Sequence, residues 1–289
     1  MLDKEFLDAQ EELGVEEFDK HYRSVFGKPI LDFVRTIVIN LPEPCGANCP
    51  YCIDDKLKGN SIDSVTFVDI CEKMLRTFPN ATNVTITGGS IAPKLFYKLY
   101  TKIDRILDDP SITWNTNGVN IQDGYYRRSF KHINLHRASI YDSVNCQKLK
   151  TCGDVMSLED VKFKLDNLSI RTVVNEDFDL DEFASVGYPL FLNRLLPPTV
   201  ESDKMFEDVL DRIDFKAKSE NPHVDIRRHN IYFDGKYNNV PVRVGFGDTQ
   251  YEHIPGRYPY WLNVCIIHRS GIVSGTWYED DKVIYKPGG

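Results

Sequence analysis

Thr36-Ile37-Val38-Ile39-Asn40 runs through Leu41-Pro42-Glu43-Pro44 into Cys45-Gly46-Ala47-Asn48-Cys49-Pro50-Tyr51-Cys52. The first five residues are β-branched and apolar, the pattern of a buried strand. The last eight hold three cysteines at CX3CX2C spacing on a loop that contains glycine and proline, so three thiolates can converge on one small object. A structural zinc site takes four closed ligands, and an electron-transfer cluster usually takes four cysteines. A [4Fe–4S] cluster held by three cysteines leaves one iron open to bind something else. A three-plus-one zinc site and unrelated core cysteines are the alternatives.

The composition sets the frame for this loop. A chain of 289 residues with 42% hydrophobic and 12% aromatic residues can bury one large α/β core, with or without an appendage. Its 35 basic and 43 acidic side chains leave a net charge of −8, which disfavours broad, non-specific adhesion to nucleic acid. Met1-Leu2-Asp3-Lys4-Glu5 lacks the basic and apolar regions of a signal peptide. No apolar run approaches the roughly 20 residues that span a bilayer. Seven cysteines, an odd number with three in one loop, argue for a reducing compartment and against a disulfide framework. The expectation is a soluble cytoplasmic protein with no membrane partner.

Working outward from the loop, residues 3–26 read as two short helices divided near Gly14. From Leu31 the pattern alternates. Strands are expected at Thr36–Asn40, Asn83–Thr87, Ser111–Asn115, His132–His136, Ser169–Val174 and Pro189–Arg194. Helices are expected between them: from Ser64 to Pro79, around Leu95–Ile103, as a short piece at Gln122–Phe130, after the capping-box sequence Ser157–Asp160, and at Leu180–Ala184. A helix at Ser202–Lys216 closes the series. Six such units imply a parallel sheet with helices outside and ligands at the carboxyl ends of its strands. Beyond Asn221-Pro222 the period changes to that of hairpins. One is expected at Val224–Phe233 and Asn238–Gly245, turning at Asp234-Gly235. A second runs from Leu262–His268 to Ile272–Trp277, with a further strand expected at Val283–Tyr285. The expected division is an N-terminal helical extension (1–30), a main α/β domain (31–220) and a C-terminal β-hairpin appendage (221–289).

The CX3CX2C loop after a first strand resembles the signature of the radical S-adenosylmethionine (SAM) enzymes. The resemblance implies a (β/α)6 partial TIM barrel whose cluster, held by Cys45, Cys49 and Cys52, chelates SAM through its open iron. Reductive cleavage then gives a 5′-deoxyadenosyl radical that abstracts hydrogen from a substrate. The aromatic residue before the third cysteine, here Tyr51, lies by the adenine in that family. Gly88-Gly89-Ser90, ending strand two, resembles the family's GGE motif, whose backbone binds the SAM amino group. Ser90 departs from the acidic third residue. An N-capping turn is the plainer role for these three residues. Asn115-Thr116-Asn117 ends strand three, where TNG-like sequences contact SAM. Arg171 and Arg194 lie in strands five and six, and buried arginine is costly without an anion. The family places SAM-carboxylate or substrate contacts there; pairing with acids or snorkelling to the rim is the alternative. His136 ends strand four.

Cys71 reads as core. Asn263–Val273 resembles the hairpin of the cysteine-rich extensions that carry extra clusters in some relatives, yet Cys265 is the only cysteine past Cys152, so a single cluster is expected. Tyr125–His132 and Arg227-Arg228-His229 interleave cations with aromatics or histidine and suit either a solvated face or a nucleotide. The resemblance further implies a flavodoxin- or ferredoxin-type one-electron donor. The substrate stays open among small amino-acid-derived molecules, peptides and modified nucleotides or DNA bases. The rival is a non-catalytic iron–sulfur or zinc module that binds nucleic acid.

Overall fold

The computed structural model describes residues 20, 34–42, 61–88, 93–116, 130–136, 167–195, 199–215, 223–225, 230–245, 264–277, 279–280 and 282–288. The expected helices at 3–26, 122–130 and 157–160 lie outside these residues, save Lys20 and Phe130.

Six strands follow one another in the parallel sense: β1 (Thr36–Asn40), β2 (Asn83–Thr87), β3 (Ser111–Thr116), β4 (His132–His136), β5 (Leu168–Val174) and β6 (Leu190–Arg194). Each is hydrogen-bonded to the next in chain order. Parallel neighbours need long crossovers. Helix α1 (Ser64–Thr77) follows β1, α2 (Pro93–Ile106) follows β2, α3 (Leu180–Ser185) follows β5 and α4 (Val200–Arg212) follows β6. Local chemistry fixes their ends. The Asp63 side chain accepts hydrogen bonds from the Val65 and Thr66 amides at the start of α1. At α4 the Thr199 hydroxyl accepts from the Ser202 amide at 3.0 Å, while Ser202 Oγ accepts from the Thr199 amide at 2.9 Å. These reciprocal bonds satisfy donors that a helix start otherwise leaves open.

The tail strands join the same sheet, at both of its edges. They are β7 (Asp214–Phe215), β8 (His223–Asp225), β9 (Asn230–Tyr237), β10 (Val240–Gly245), β11 (Val264–Ile267), β12 (Val273–Ser274) and β13 (Val283–Tyr285). β10 pairs with β6 in the parallel sense, and β11 pairs likewise with β1. Among the described residues the result is one 13-stranded sheet ordered β13-β12-β11-β1-β2-β3-β4-β5-β6-β10-β9-β7, with β8 on β9.

The first tail hairpin does not turn at Asp234-Gly235. Those residues sit inside β9, opposite Arg243 and Val242, and the reversal falls at Asn238-Asn239. Both asparagines have positive φ, 48° and 67°, which a two-residue hairpin turn matched to strand twist requires and which asparagine tolerates well.

Strand alternation divides the sheet into two unlike faces. Ile37, Ile39, Val84, Ile86, Ile112, Trp114, Ile133, Leu135, Ile170, Val174, Leu190 and Leu192 point to the helices, into one continuous apolar core. Phe67 of α1, Phe96 of α2 and Phe183 of α3 are fully buried in it. Each is worth about 1.5–3 kcal/mol of transfer free energy. Trp114 stacks on Phe130 at 5.1 Å between centroids. No helix among the described residues is long and apolar enough to cross a membrane.

Candidate cofactor site

The face turned away from the helices is where the polar residues collect. The registers place Thr36, Asn40, Thr85, Thr87, Thr113, Asn115, Asn134, His136, Ser169, Arg171 and Asn193 on it, strand by strand. Val38 joins Val264, Ile266 and Trp277 in a small apolar cluster on the β1–β11 side of the same face. Among the described residues of β1 to β6 this face holds amides, hydroxyls, imidazoles and one guanidinium, and no carboxylate.

Several of these groups hold one another in place. Asn134 Nδ2 donates to Asn115 Oδ1 at 2.8 Å, and Ser169 Oγ donates to Asn134 Oδ1 at 2.7 Å. This relay crosses β3, β4 and β5. Beside it the Arg171 guanidinium lies over the Phe191 ring, 4.4 Å from the centroid, and donates from Nη2 to Asn193 Oδ1 at 3.3 Å. Asn193 Nδ2 in turn donates to the Thr172 carbonyl at 3.2 Å. A guanidinium oriented by a ring below and an amide beside it loses little freedom when it meets an oxyanion.

At the carboxyl end of β2 the backbone changes hand. Gly88 has φ +81°, and a Cβ there would overlap Asn40 Oδ1 and lie 3.1 Å from the Leu41 amide nitrogen. That amide donates to the Thr87 carbonyl at 2.9 Å, locking the ends of β1 and β2 together. Only glycine satisfies both the positive φ and the close approach.

The expected site residues are therefore distributed as follows. Gly88, Asn115 and Arg171 lie on the polar face or at its rim, and His136 ends β4 in the same cross-strand row as Arg171. Cys45, Cys49, Cys52, Tyr51, Gly89, Ser90 and Asn117 lie outside the described residues, as do Cys146, Cys152 and Arg227-Arg228-His229. Arg194 is on the opposite face, in line with Leu190 and Leu192. It makes a two-pronged ion pair with Asp203 of α4, Nε to Oδ1 and Nη2 to Oδ2, each at 2.8 Å. The hydrogen bond from Arg194 holds the Asp203 carboxyl below the usual carboxylate range. Asn40, Thr87, Asn134, Ser169 and Phe191 belong to the wall although their residue types alone did not single them out. The available signal was alternation: in His132-Ile133-Asn134-Leu135-His136 every second residue is polar.

Cys71 and Cys265 are both buried on the helix side, and burial pushes each thiol well above its ordinary pKa. Thiols in that state are neutral packing groups rather than ligands.

No protein-family model matches this chain, and neither does any curated protein sequence. Solved structures do match. SuiB of Streptococcus suis bound to S-adenosylmethionine superposes with a TM-score of 0.53 at 11% identity, covering 90% of this chain and 64% of that one. SuiB bound to its precursor peptide SuiA gives 0.51 at 12% identity, covering 90% and 63%. This chain thus spans less than two thirds of that protein's length. At such identity the likeness is one of fold alone, the fold that SuiB adopts.

Proposed function

We propose that this chain is a radical SAM enzyme in which Cys45, Cys49 and Cys52 hold a single [4Fe–4S] cluster. One observation carries the proposal. The strand leading to the three cysteines borders, in unbroken parallel register, a wall of uncharged donors and acceptors that ends in an oriented guanidinium. That wall suits SAM, whose ribose hydroxyls, amino group and carboxylate call for amides, hydroxyls and a cation. The sequential parallel order β1 to β6 supports a (β/α)6 partial barrel, with 31–220 as the barrel, 221–289 closing its two edges and 1–30 a helical extension. Equal-handed crossovers between successive strands put the helices on one side and leave the other to ligands.

When bound, the cluster and SAM supply the 5′-deoxyadenosyl radical. The chain's own residues bind and orient. Gly88 brings the β2 end close to Asn40, and the Gly88-Gly89-Ser90 backbone would bind the cofactor's amino group. Tyr51, Asn115 and Asn117 serve its adenine and ribose, and Arg171 its carboxylate. Arg194 takes no part; its partner is Asp203. A peptide is the favoured substrate class, on the strength of the SuiB structure solved with a precursor peptide. A flavodoxin- or ferredoxin-type protein delivers the electron.

Anaerobic reconstitution with iron and sulfide tests this. The expected product is a brown protein that converts SAM to 5′-deoxyadenosine on reduction, with colour and cleavage both lost in Cys49→Ala. A colourless zinc-binding protein indifferent to SAM would instead establish the non-catalytic module.

A further inference from the structure

The polar face of the sheet does not stop at β6. Val240, Val242 and Val244 of β10 lie in the helix-side core, so strand alternation turns Arg243 to the same face as Arg171 and Asn193. The registers then align one cross-strand row over five strands: His136 of β4, Arg171 of β5, Phe191 of β6, Arg243 of β10 and Asp234 of β9. On β4 and β5 this row lies two residues beyond Asn134 and Ser169, toward the carboxyl ends where parallel sheets take their ligands. Two guanidiniums thus flank one ring, their Cα atoms about 10 Å apart by the usual spacing of strands.

The two arginines are held in different ways. Arg171 is oriented by the Phe191 ring and the Asn193 amide, Arg243 by a carboxylate. Arg243 Nε donates to Asp234 Oδ1 at 2.6 Å and Nη2 donates to Oδ2 at 3.0 Å. This two-pronged fit is the preferred seat of a carboxylate on a guanidinium, so Asp234 displays the group that Arg243 selects. The side chains are 39% and 42% exposed, within reach of a ligand on this face. An exposed pair of this kind contributes little, so an incoming carboxylate displaces Asp234 at small cost. The row carries two guanidiniums against one carboxylate, a local positive excess in a chain whose net charge is −8. Further out, Lys236 of β9 stands opposite Asp214 of β7, and those two charges balance.

We infer that Arg243 is a specificity-determining residue that binds a carboxylate of the substrate, with Asp234 as the placeholder which that carboxylate displaces. Arg171 serves the carboxylate of SAM, and Arg243, across Phe191, serves a second one. The inference rests on the enzyme reading above and deepens it by naming the charge of the substrate. The carboxylate comes from an acidic side chain or from a chain terminus, two sources with one chemistry.

The test titrates three small probes into the anaerobically reconstituted protein with SAM present, and ligand-observed NMR reads the dissociation constants. N-acetyl-glutamate methylamide offers a side-chain carboxylate, N-acetyl-glycylglycine a terminal one, and N-acetyl-glutamine methylamide none. At least one carboxylate probe should bind about tenfold more tightly than the neutral probe, the worth of one charge-assisted hydrogen bond. The tighter of the two identifies the source. Arg243→Gln should lose that advantage. Asp234→Asn should bind the same probe up to about fivefold more tightly, because the competing carboxylate is gone. Lys98→Gln, which removes an exposed charge from α2, should match wild type. Equal affinity for all three probes overturns the inference, and so does wild-type binding in Arg243→Gln. A loss in Lys98→Gln as large as in Arg243→Gln, or weaker binding in Asp234→Asn, overturns it too. SAM cleavage without this pattern sinks the carboxylate site alone. The pattern without iron uptake or SAM cleavage sinks the enzyme reading and leaves the carboxylate site standing.

Discussion

Gly88 and Asn40 meet at the carboxyl ends of neighbouring parallel strands, with the asparagine side chain in the space that any Cβ on residue 88 would fill. The contact joins the strand before the cysteines to the first glycine of the sequence Gly88-Gly89-Ser90. Gly88→Ala therefore faces two separate penalties, the left-handed backbone and the overlap with Asn40. A loss of about 2 kcal/mol or more is expected from the strain and the crowding together. Thermal unfolding measures it. Adding Asn40→Ala should recover only the crowding part, and a full recovery would show that the backbone conformation costs nothing.

Arg171 and Arg194 look alike in the sequence and part company in the fold. Arg171→Gln should weaken SAM binding about tenfold, the worth of one charge-assisted hydrogen bond, with little effect on unfolding. Arg194→Gln should lower the unfolding temperature and leave SAM affinity within about twofold of wild type, because its side chain turns to the helix side of the sheet and pairs with Asp203. Calorimetric titration with SAM, run on both variants, separates them.

The same ion pair carries a pH dependence of definite sign. Its carboxyl is depressed in the folded protein by the Arg194 hydrogen bond, so the stabilisation is complete above the ordinary aspartate pKa of about 3.9. It is lost as pH falls from there through the lower folded value. Asp203→Asn should consequently be less stable than wild type near neutrality, with the gap narrowing below about pH 4. Denaturant unfolding across pH 3 to 7 reads the gap, and a gap that widened on acidification would contradict the assignment.

Asn134 is the middle of a three-residue relay, donating to Asn115 and accepting from Ser169. Asn134→Leu leaves both partners half-buried with a bond unmade, at a cost of about 1–3 kcal/mol. Because Asn115 is then free to turn, the Kd for SAM should rise as well. Ser169→Ala removes only one end of the relay and should affect stability more than binding.

Much of this architecture is legible in the amino-acid sequence. The strands at Thr36–Asn40, Asn83–Thr87 and His132–His136 have the bounds read from their β-branched or alternating runs, and the other three differ by one residue at an end. Local patterns sufficed because each strand declares itself within five to seven residues. What could not be read locally was pairing over distance. Nothing in Val264-Cys265-Ile266-Ile267 says that it lies beside β1, or in Val240–Gly245 that it lies beside β6. The Asp234-Gly235 dipeptide was a plausible turn overruled by sheet pairing, with Asn238-Asn239 supplying the positive φ instead. From its place at a strand's end Arg194 reads either as a SAM or substrate contact or as the partner of an acid, while its parity with Leu190 and Leu192 already puts it on the helix side. At a strand terminus a long side chain can reach over to a helix acid, and Asp203 is where it goes.

The pairing of β11 with β1 also sets a timetable for the protein's birth. A ribosome releases Cys45, Cys49 and Cys52 more than 200 residues before the strand that borders theirs. At about 5–20 residues per second, the cysteines wait for tens of seconds or near it beside an unfinished sheet. If the three cysteines hold the proposed cluster, metal delivered during that interval would meet thiols beside an unfinished sheet, and insertion would belong to the chain in which β11 is already paired with β1.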